Sequence, residues 1–303
     1  MLDQADKLRM LVRETVKEHA ILQPGIPLVA VSGAQRGVGA TTVAQYLAQE
    51  LAQLGKRVVL VDANLLAPRL TASMKPSRSG SLSEVLNGHR SVAEVLEQIG
   101  EGIQLLSGID VDGEVPEMNL RALKRLLTDL RSLRNDADII LIDTGEGMTP
   151  WIEKFWTAAL QILLVTTVQS SSVMDSYAAV KLAPWGDVDG KLRLVVNQCN
   201  DVDLGMRASD SFASTCRRFL GMRLLGDAAV LASDKQLHAG AETLSHRSPL
   251  RRSVRLLAAD LLSQAYLIQG RNTQPRSKSL PSESQAASLF TETEQRVSIA
   301  ASR

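Results

Sequence analysis

A glycine-rich segment near the start of the chain has the composition of a phosphate-binding loop. It runs from Val31 to Thr42, follows an apolar run at 27–31, and precedes a helical pattern at 43–54. Its glycines allow backbone N–H groups to converge on a phosphate, and a helix beginning at the loop adds a favourable dipole. The Thr41 hydroxyl is a suitable ligand for Mg²⁺. The segment therefore predicts a nucleotide-binding loop.

The loop lacks the cation that usually accompanies this geometry. Ala40 stands where a lysine would reach the β- and γ-phosphates. Loss of that charge removes transition-state stabilisation, which carries orders of magnitude in rate. Gln35 cannot supply the charge, whereas the guanidinium of Arg36 pairs well with phosphate. We expect slow or absent hydrolysis, and an active ATPase that uses Arg36 remains an alternative.

Two carboxylates lie at the ends of apolar segments that read as strands. Asp62 follows the run at 57–61, and Asp143 follows the run at 138–142. Carboxylates at strand ends can reach a metal-bound water or a nucleophilic water. Together with Thr41 they form the predicted Mg²⁺ site.

The loop resembles that of the MinD/ParA family of P-loop ATPases, whose pattern is KGGxGK[ST][ST]. Gln35 takes the place of the family's signature lysine, and Arg36 replaces the glycine after it. Asn64 replaces the second aspartate of an Asp-x-Asp motif that orients the attacking water in the family. The matching residues are Gly37, Val38, Gly39, Thr41 and Thr42.

The resemblance implies ATP or ADP as the ligand, with Mg²⁺. It places Asn197 at a purine edge, and it leaves no confident catalytic residue because positions 35, 40 and 64 are substituted. In the family the signature lysine reaches across an ATP-bound dimer. Gln35 has no charge for that contact, so we expect ATP not to drive strong dimerisation, and a homodimer is left open. The expected nucleotide contacts are Arg36, Gly37, Val38, Gly39, Ala40, Thr41, Thr42 and Asn197.

Two short segments are similar to the FlhG branch of this family, whose members regulate flagellar number. They are residues 1–9 and residues 166–178. This similarity implies a partner GTPase of the signal-recognition-particle type, FlhF-like, contacted through residues 1–22. A scaffold that binds no nucleotide and positions a polar organelle or a pilus is the other alternative.

The partner contact is expected on an amphipathic N-terminal helix. Leu8 lies on its apolar stripe and can pack on a partner. Gln4 and Arg9 can hydrogen-bond at the partner's surface.

The pattern of apolar runs predicts an α/β fold with a doubly wound, mainly parallel sheet. The predicted organisation is an N-terminal helix and linker (1–26), a P-loop domain (27–269) and a disordered polar tail (270–303). The predicted strands are 27–32, 57–62, 103–107, 138–143, 161–167 and 193–198.

The composition excludes several partner classes. The net charge of +1 and the 3% aromatic content argue against nucleic acid. The tail has one bulky apolar pair, Leu289–Phe290, so we expect weak membrane binding or none. The absence of a signal-like apolar core leads us to expect a cytoplasmic protein. The arginines at 247, 251, 252 and 255 are interpreted as the solvated face of a helix.

Overall fold

The computed structural model describes residues 26–65, 67–77, 80–109, 120–183, 188–238 and 243–273, without the side chains of 120, 238 and 265–273. The predicted helix at 1–22, with Gln4, Leu8 and Arg9, lies outside these residues, as does the predicted tail from 274 onward. Residues 270–273, which the sequence analysis assigns to the tail, continue the last helix.

One sheet of eight strands organises the described part of the chain. The strands are β1 Leu28–Gly33, β2 Val58–Asp62, β3 Glu97–Gly100, β4 Ile103–Leu106, β5 Ile139–Glu146, β6 Gln161–Thr166, β7 Leu192–Cys199 and β8 Ala229–Ala232. Their order across the sheet is β3-β4-β2-β5-β1-β6-β7-β8. All neighbouring pairs are parallel except β3 and β4. The six predicted strands are confirmed, and β3 and β8 are additional.

Helices cover both faces of this sheet. They are α1 Ala40–Gln53, α2 Arg69–Met74, α3 Leu82–Asn87, α4 Val92–Val95, α5 Leu120–Ser132, α6 Pro150–Ala158, α7 Ser170–Leu182, α8 Val202–Leu220, α9 Lys235–His238 and α10 Pro249–Thr273. Local sequence sets several of their starts. Thr149 Oγ1 accepts the N–H of Ile152 ahead of Pro150, and Asp201 accepts the N–H groups of Asp203 and Leu204. Within the described ranges, no helix combines the length and hydropathy needed to cross a bilayer.

Alternate residues of the central strands enter two separate hydrophobic cores. On β1, Leu28 and Ala30 face one core, and Val29 and Val31 face the other. Helices α1, α2 and α10 cover the second core, while α3 to α8 cover the first. Strands buried on both faces account for the nearly continuous apolar runs in the sequence. The predicted doubly wound α/β fold is confirmed.

A buried ion cluster joins α1 to α10 and corrects one interpretation of the sequence. Glu50 is completely buried, and its Oε1 accepts bonds from Arg251 Nε at 2.8 Å and Nη2 at 2.7 Å. Arg255 Nε lies 2.7 Å from the other oxygen, Oε2. Arg251 is therefore buried against a carboxylate two hundred residues earlier in the chain and is not part of a solvated face, whereas Arg255 shares that carboxylate but remains 44% exposed. Arg252, between them, is exposed.

Replacing Arg251 by alanine should destabilise the protein strongly. The substitution leaves the buried carboxylate of Glu50 without its principal partner, a loss that costs about 3–5 kcal/mol. Arg252→Ala, one position along the same helix, should change the free energy of unfolding by less than about 0.5 kcal/mol. Chemical denaturation of both variants measures the difference. Equal effects would show that the Glu50 cluster contributes nothing specific.

Candidate nucleotide-binding site

The loop between β1 and α1 turns through two glycines with left-handed backbone. Gly37 has φ 84° and Gly39 has φ 87°, conformations that residues with a Cβ atom rarely adopt. Gly39 precedes Ala40, the first residue of α1, and no side chain caps the start of this fourteen-residue helix. The first N–H groups of α1 are therefore available to an anion, as the sequence predicts.

Two side chains at the end of β7 hold the loop. Asn197 Nδ2 donates to the carbonyl of Val38 at 2.8 Å, and Gln198 Nε2 donates to the carbonyl of Gly37 at 2.7 Å. A Cβ atom on Gly39 would lie 2.5 Å from Asn197 Nδ2. Gln198 has a positive φ of 56°, which is uncommon for a residue with a side chain. Asn197 thus fixes the loop, and its contact with a purine stays a prediction.

Asp143 ends in the interior beside the loop. Its Oδ1 accepts the N–H of Gly145 at 3.2 Å, and its Oδ2 is buried with no hydrogen-bond partner among the described residues. Burial, helped by the neighbouring Asp62 charge, raises the pKa of Asp143 to about 7, although a hydrogen bond from the Thr41 hydroxyl opposes the shift. A buried carboxylate oxygen without a partner, close to a threonine hydroxyl, suits a divalent cation.

Asp62 differs from Asp143 because both of its carboxylate oxygens already accept hydrogen bonds from the protein. Oδ2 accepts the backbone N–H and the hydroxyl of Thr71, each at 2.7 Å, and Oδ1 accepts the N–H of Asn64 at 3.3 Å. Burial raises the pKa of Asp62, and these bonds lower it in part. These contacts attach α2 to the end of β2. The predicted metal contact of Asp62 stays a prediction.

Asn64, predicted from the resemblance to replace a water-orienting aspartate, lies against the turn after β5. Its Oδ1 accepts the N–H of Ala67 at 3.2 Å, and its buried Nδ2 has no partner within the described part of the chain. A Cβ atom on Gly145, where φ is 81°, would lie 2.6–2.9 Å from the Asn64 amide atoms. An amide there cannot act as a carboxylate base.

The described residues can hold Mg²⁺ only if a phosphate ligand and waters provide the remaining oxygen atoms. Among the described residues, no three His, Cys, Asp or Glu side chains group as a metal cluster. Mg²⁺ commonly takes one or two protein oxygens and completes its shell with waters and phosphate oxygens. Thr41 and the free oxygen of Asp143 meet that requirement.

A cavity of about 440 Å³ opens above the loop. Sequence reasoning missed Arg69, Glu146 and the loop after β8 as parts of its wall. The first two have no local motif, and the third follows a strand that was not recognised. The lining residues are Gly33, Gln35, Gly37–Thr42, Gln45, Arg69, Ser73, Gly145, Glu146, Asn197, Gln198, Ala232–Asp234, Leu237 and Leu250. Of the predicted nucleotide contacts, Arg36 is the one that does not line the cavity. It is 74% exposed and pairs with Glu146.

Comparison with known proteins agrees with this geometry. Residues 27–175 match the family model AAA_31, described as an AAA domain. The structure of MinD from Pyrococcus horikoshii, complexed with Mg-ADP, superposes with a TM-score of 0.64 at 20% identity, over 79% of this chain and 97% of that one. These matches support the resemblance of the chain to P-loop proteins of the MinD/ParA type. The resemblance inferred from the loop is thereby confirmed.

Within that family, this protein resembles the FlhG-type regulators. It is 25% identical to the antiactivator FleN of Pseudomonas aeruginosa over 209 residues, which are 69% of this chain and 74% of FleN. It is 23% identical to the flagellum site-determining protein YlxH of Helicobacter pylori over 154 residues. That alignment spans about half the length of YlxH, 52%.

Gly39→Ala should destabilise the protein more than Gly37→Ala. Both substitutions place a Cβ atom on left-handed backbone, at about 1–2 kcal/mol each. The Gly39 variant alone also meets the Asn197 amide, which adds about 1–3 kcal/mol of overpacking, whereas Gly37 has open space. Urea denaturation compares the two variants. Equal losses would mean that the contact with Asn197 yields without cost.

Asp143→Asn should change how stability depends on pH in metal-free buffer. The pKa of Asp143 is raised in the folded protein from 3.8 to about 7, so its favourable contribution is complete below about pH 4 and is lost as pH rises through 7. The amide variant should lack this loss and melt a few degrees higher than wild type at pH 8. Thermal unfolding at pH 5 and pH 8 measures it, with the exposed Asp175→Asn as control. An unchanged pH dependence would contradict the assignment.

Proposed function

We propose that this protein is a nucleotide-binding regulator of flagellar number or placement that acts on a partner GTPase and hydrolyses ATP slowly or not at all. The observation that carries the nucleotide part is the loop with its cavity, which combines two left-handed glycines, an uncapped helix start and the free oxygen of Asp143. The flagellar part rests on the similarity to FleN and YlxH.

The ligand class follows from the donors that surround the cavity. Backbone N–H groups at the start of α1 suit the phosphates of ATP or ADP. Thr41 and Asp143 would hold Mg²⁺, which would neutralise phosphate charge. The P. horikoshii relative is complexed with Mg-ADP, which supports the same ligands here. Asn197, at the cavity wall, would contact a base through its remaining amide oxygen.

Slow turnover follows from what the site lacks. Ala40 puts a methyl group where the family supplies a cation, and Gln35 is uncharged. Asn64 cannot accept a proton from water, and its Oδ1 is already bonded to Ala67. Electrostatic stabilisation of the developing charge commonly supplies most of the rate enhancement in phosphoryl transfer. A regulator that needs only to bind nucleotide tolerates these losses.

The same substitutions bear on assembly. Without the signature lysine, ATP contributes no cross-subunit ion pair, so a homodimer would have to form through other contacts. Sedimentation with and without ATP separates the two cases, since a strong ATP-dependent dimer would contradict the proposal.

Ala40→Lys should strengthen ATP binding and raise turnover. The lysine restores a cation beside the phosphates, and one such electrostatic contact changes kcat by about 10²-fold. Ala40→Met, of similar length without charge, is the matched control and should not raise turnover. Steady-state ATPase assays and titration calorimetry measure both quantities. High wild-type turnover that Arg36→Ala abolishes would instead establish the alternative of an arginine-dependent ATPase.

The proposed action on a GTPase is tested with a peptide of residues 1–22. We expect the peptide to bind a signal-recognition-particle-type flagellar GTPase and to stimulate its GTP hydrolysis. Gln4→Ala should weaken stimulation more than binding, whereas Leu8→Ala should weaken binding. Lys7→Ala is the control on the same segment. If removal of residues 1–22 leaves GTPase stimulation by the full protein unchanged, this part of the proposal is wrong.

A further inference from the structure

One arginine of the cavity has no role in any motif of the sequence. Of the described residues that line the cavity, Arg69 alone carries a positively charged side chain, while Glu146 and Asp234 carry acidic ones. The lysine that phosphate loops usually contribute is absent at position 40. The charge balance of the cavity therefore depends on Arg69 more than on any residue of the loop itself.

Glu146 brings Arg69 together with the tip of the loop. It lies at the end of β5, opposite Gly33, where the loop begins. Its Oε1 is 3.3 Å from Arg36 Nε and 3.8 Å from Arg69 Nη2. One carboxylate oxygen thus lies between two guanidinium groups at the opening of the phosphate loop. Ion pairs as exposed as these contribute little to the free energy of unfolding, so stability alone does not account for the arrangement of these three side chains.

The backbone of Arg69 is firmly held, and its side chain is partly exposed. Two residues later, Thr71 donates both its N–H and its hydroxyl to Asp62, which fixes α2 to the end of β2. Ser73 donates to Gln45 Oε1 at 2.9 Å, which ties α2 to α1. The Arg69 side chain itself is 40% exposed. A fixed backbone with a partly exposed guanidinium leaves room for the charged group to move a short distance between partners.

We propose that Arg69, with Arg36, binds the terminal phosphate of a nucleoside triphosphate, and that Glu146 competes with that phosphate for both guanidinium groups. The proposal rests on the nucleotide binding proposed above. Guanidinium pairs with phosphate and with carboxylate through the same planar donor geometry, so one anion can replace the other. A triphosphate carries more negative charge than a single carboxylate and therefore displaces it.

This exchange would distinguish ATP from ADP. A diphosphate lacks the terminal group that replaces Glu146, so the arginine–glutamate pairs remain formed when ADP binds. A triphosphate releases Glu146, which lies next to Gly147 at the turn after β5. Arg69, which lies on α2 and not on the loop, then supplies the positive charge that the missing lysine would have provided.

The test is titration calorimetry of ATP and ADP, each with Mg²⁺, on the full chain. Arg69→Ala and Arg36→Ala should each weaken ATP binding by about tenfold, the factor equivalent to one charge-assisted hydrogen bond, with a smaller effect on ADP. Glu146→Gln should tighten ATP binding several-fold and leave ADP nearly unchanged. In the double variant with Arg69→Ala, Glu146→Gln should tighten ATP binding less than it does in wild type.

Matched controls separate this effect from general changes of surface charge. Arg223→Ala removes an exposed arginine paired with Asp189, and Glu153→Gln removes a carboxylate as exposed as Glu146. Neither should change the ATP-to-ADP affinity ratio. Thermal unfolding of each variant without nucleotide confirms that the fold is intact.

The outcomes distinguish this inference from the function on which it rests. If wild type binds nucleotide and Arg69→Ala leaves the ATP-to-ADP ratio unchanged, the arginine assignment is wrong and the proposed function stands. If wild type binds neither nucleotide, and inorganic triphosphate does not raise its melting temperature, both are wrong. If wild type binds neither ATP nor ADP, but inorganic triphosphate stabilises wild type and not Arg69→Ala, the phosphate site is correct and nucleotide is not its ligand.

Discussion

The shape of the loop between β1 and α1 depends on hydrogen bonds from a strand that is distant in sequence. Asn197 and Gln198 donate amide hydrogens to the carbonyls of Val38 and Gly37, so the loop cannot relax without breaking contacts to β7. The left-handed glycine at position 39 is what permits that close approach, since a Cβ atom there would collide with Asn197. β7 and β1 are both neighbours of β6, which sets their separation. The parallel sheet therefore determines the geometry of the loop.

The alanine at position 40 provides no cation that could oppose the raised pKa of Asp143. A cation at position 40 would stabilise an ionised carboxylate in the same cavity and lower its pKa. With alanine there, burial dominates and brings the pKa of Asp143 to about 7. The remaining positive charge lies at the cavity wall and rim, where Glu146 holds it. The loop residues that line the cavity thus carry no fixed positive charge, and a Mg²⁺ ion arriving with the nucleotide would supply it instead.

How much could be predicted from the sequence differed between the elements. Six strands were predicted because burial on both faces makes their sequences mostly apolar. β3 was missed because Glu97, Gln98 and Gly100 interrupt its short apolar pattern, and β8 because it is a short edge strand in which only Leu231 is fully buried. Gly37 and Gly39 were identifiable since the loop needs their backbone freedom, whereas Arg69 and Glu146 meet only through the sheet. Arg251 was interpreted as a surface residue because nothing near it in sequence reveals Glu50.

The Glu50 cluster makes substitutions in two distant regions of the chain depend on each other. Glu50 lies inside the segment that matches the family model, residues 27–175, while its partners Arg251 and Arg255 lie well beyond it. A related sequence that lost the acid at position 50 would leave two guanidinium groups without a counter-ion, and one that lost the arginines would leave a buried anion. Either change is tolerated only if the other follows, so these positions should vary as a pair across lineages. The smallest piece of the chain able to fold alone must likewise extend past the last strand to include the first two turns of α10.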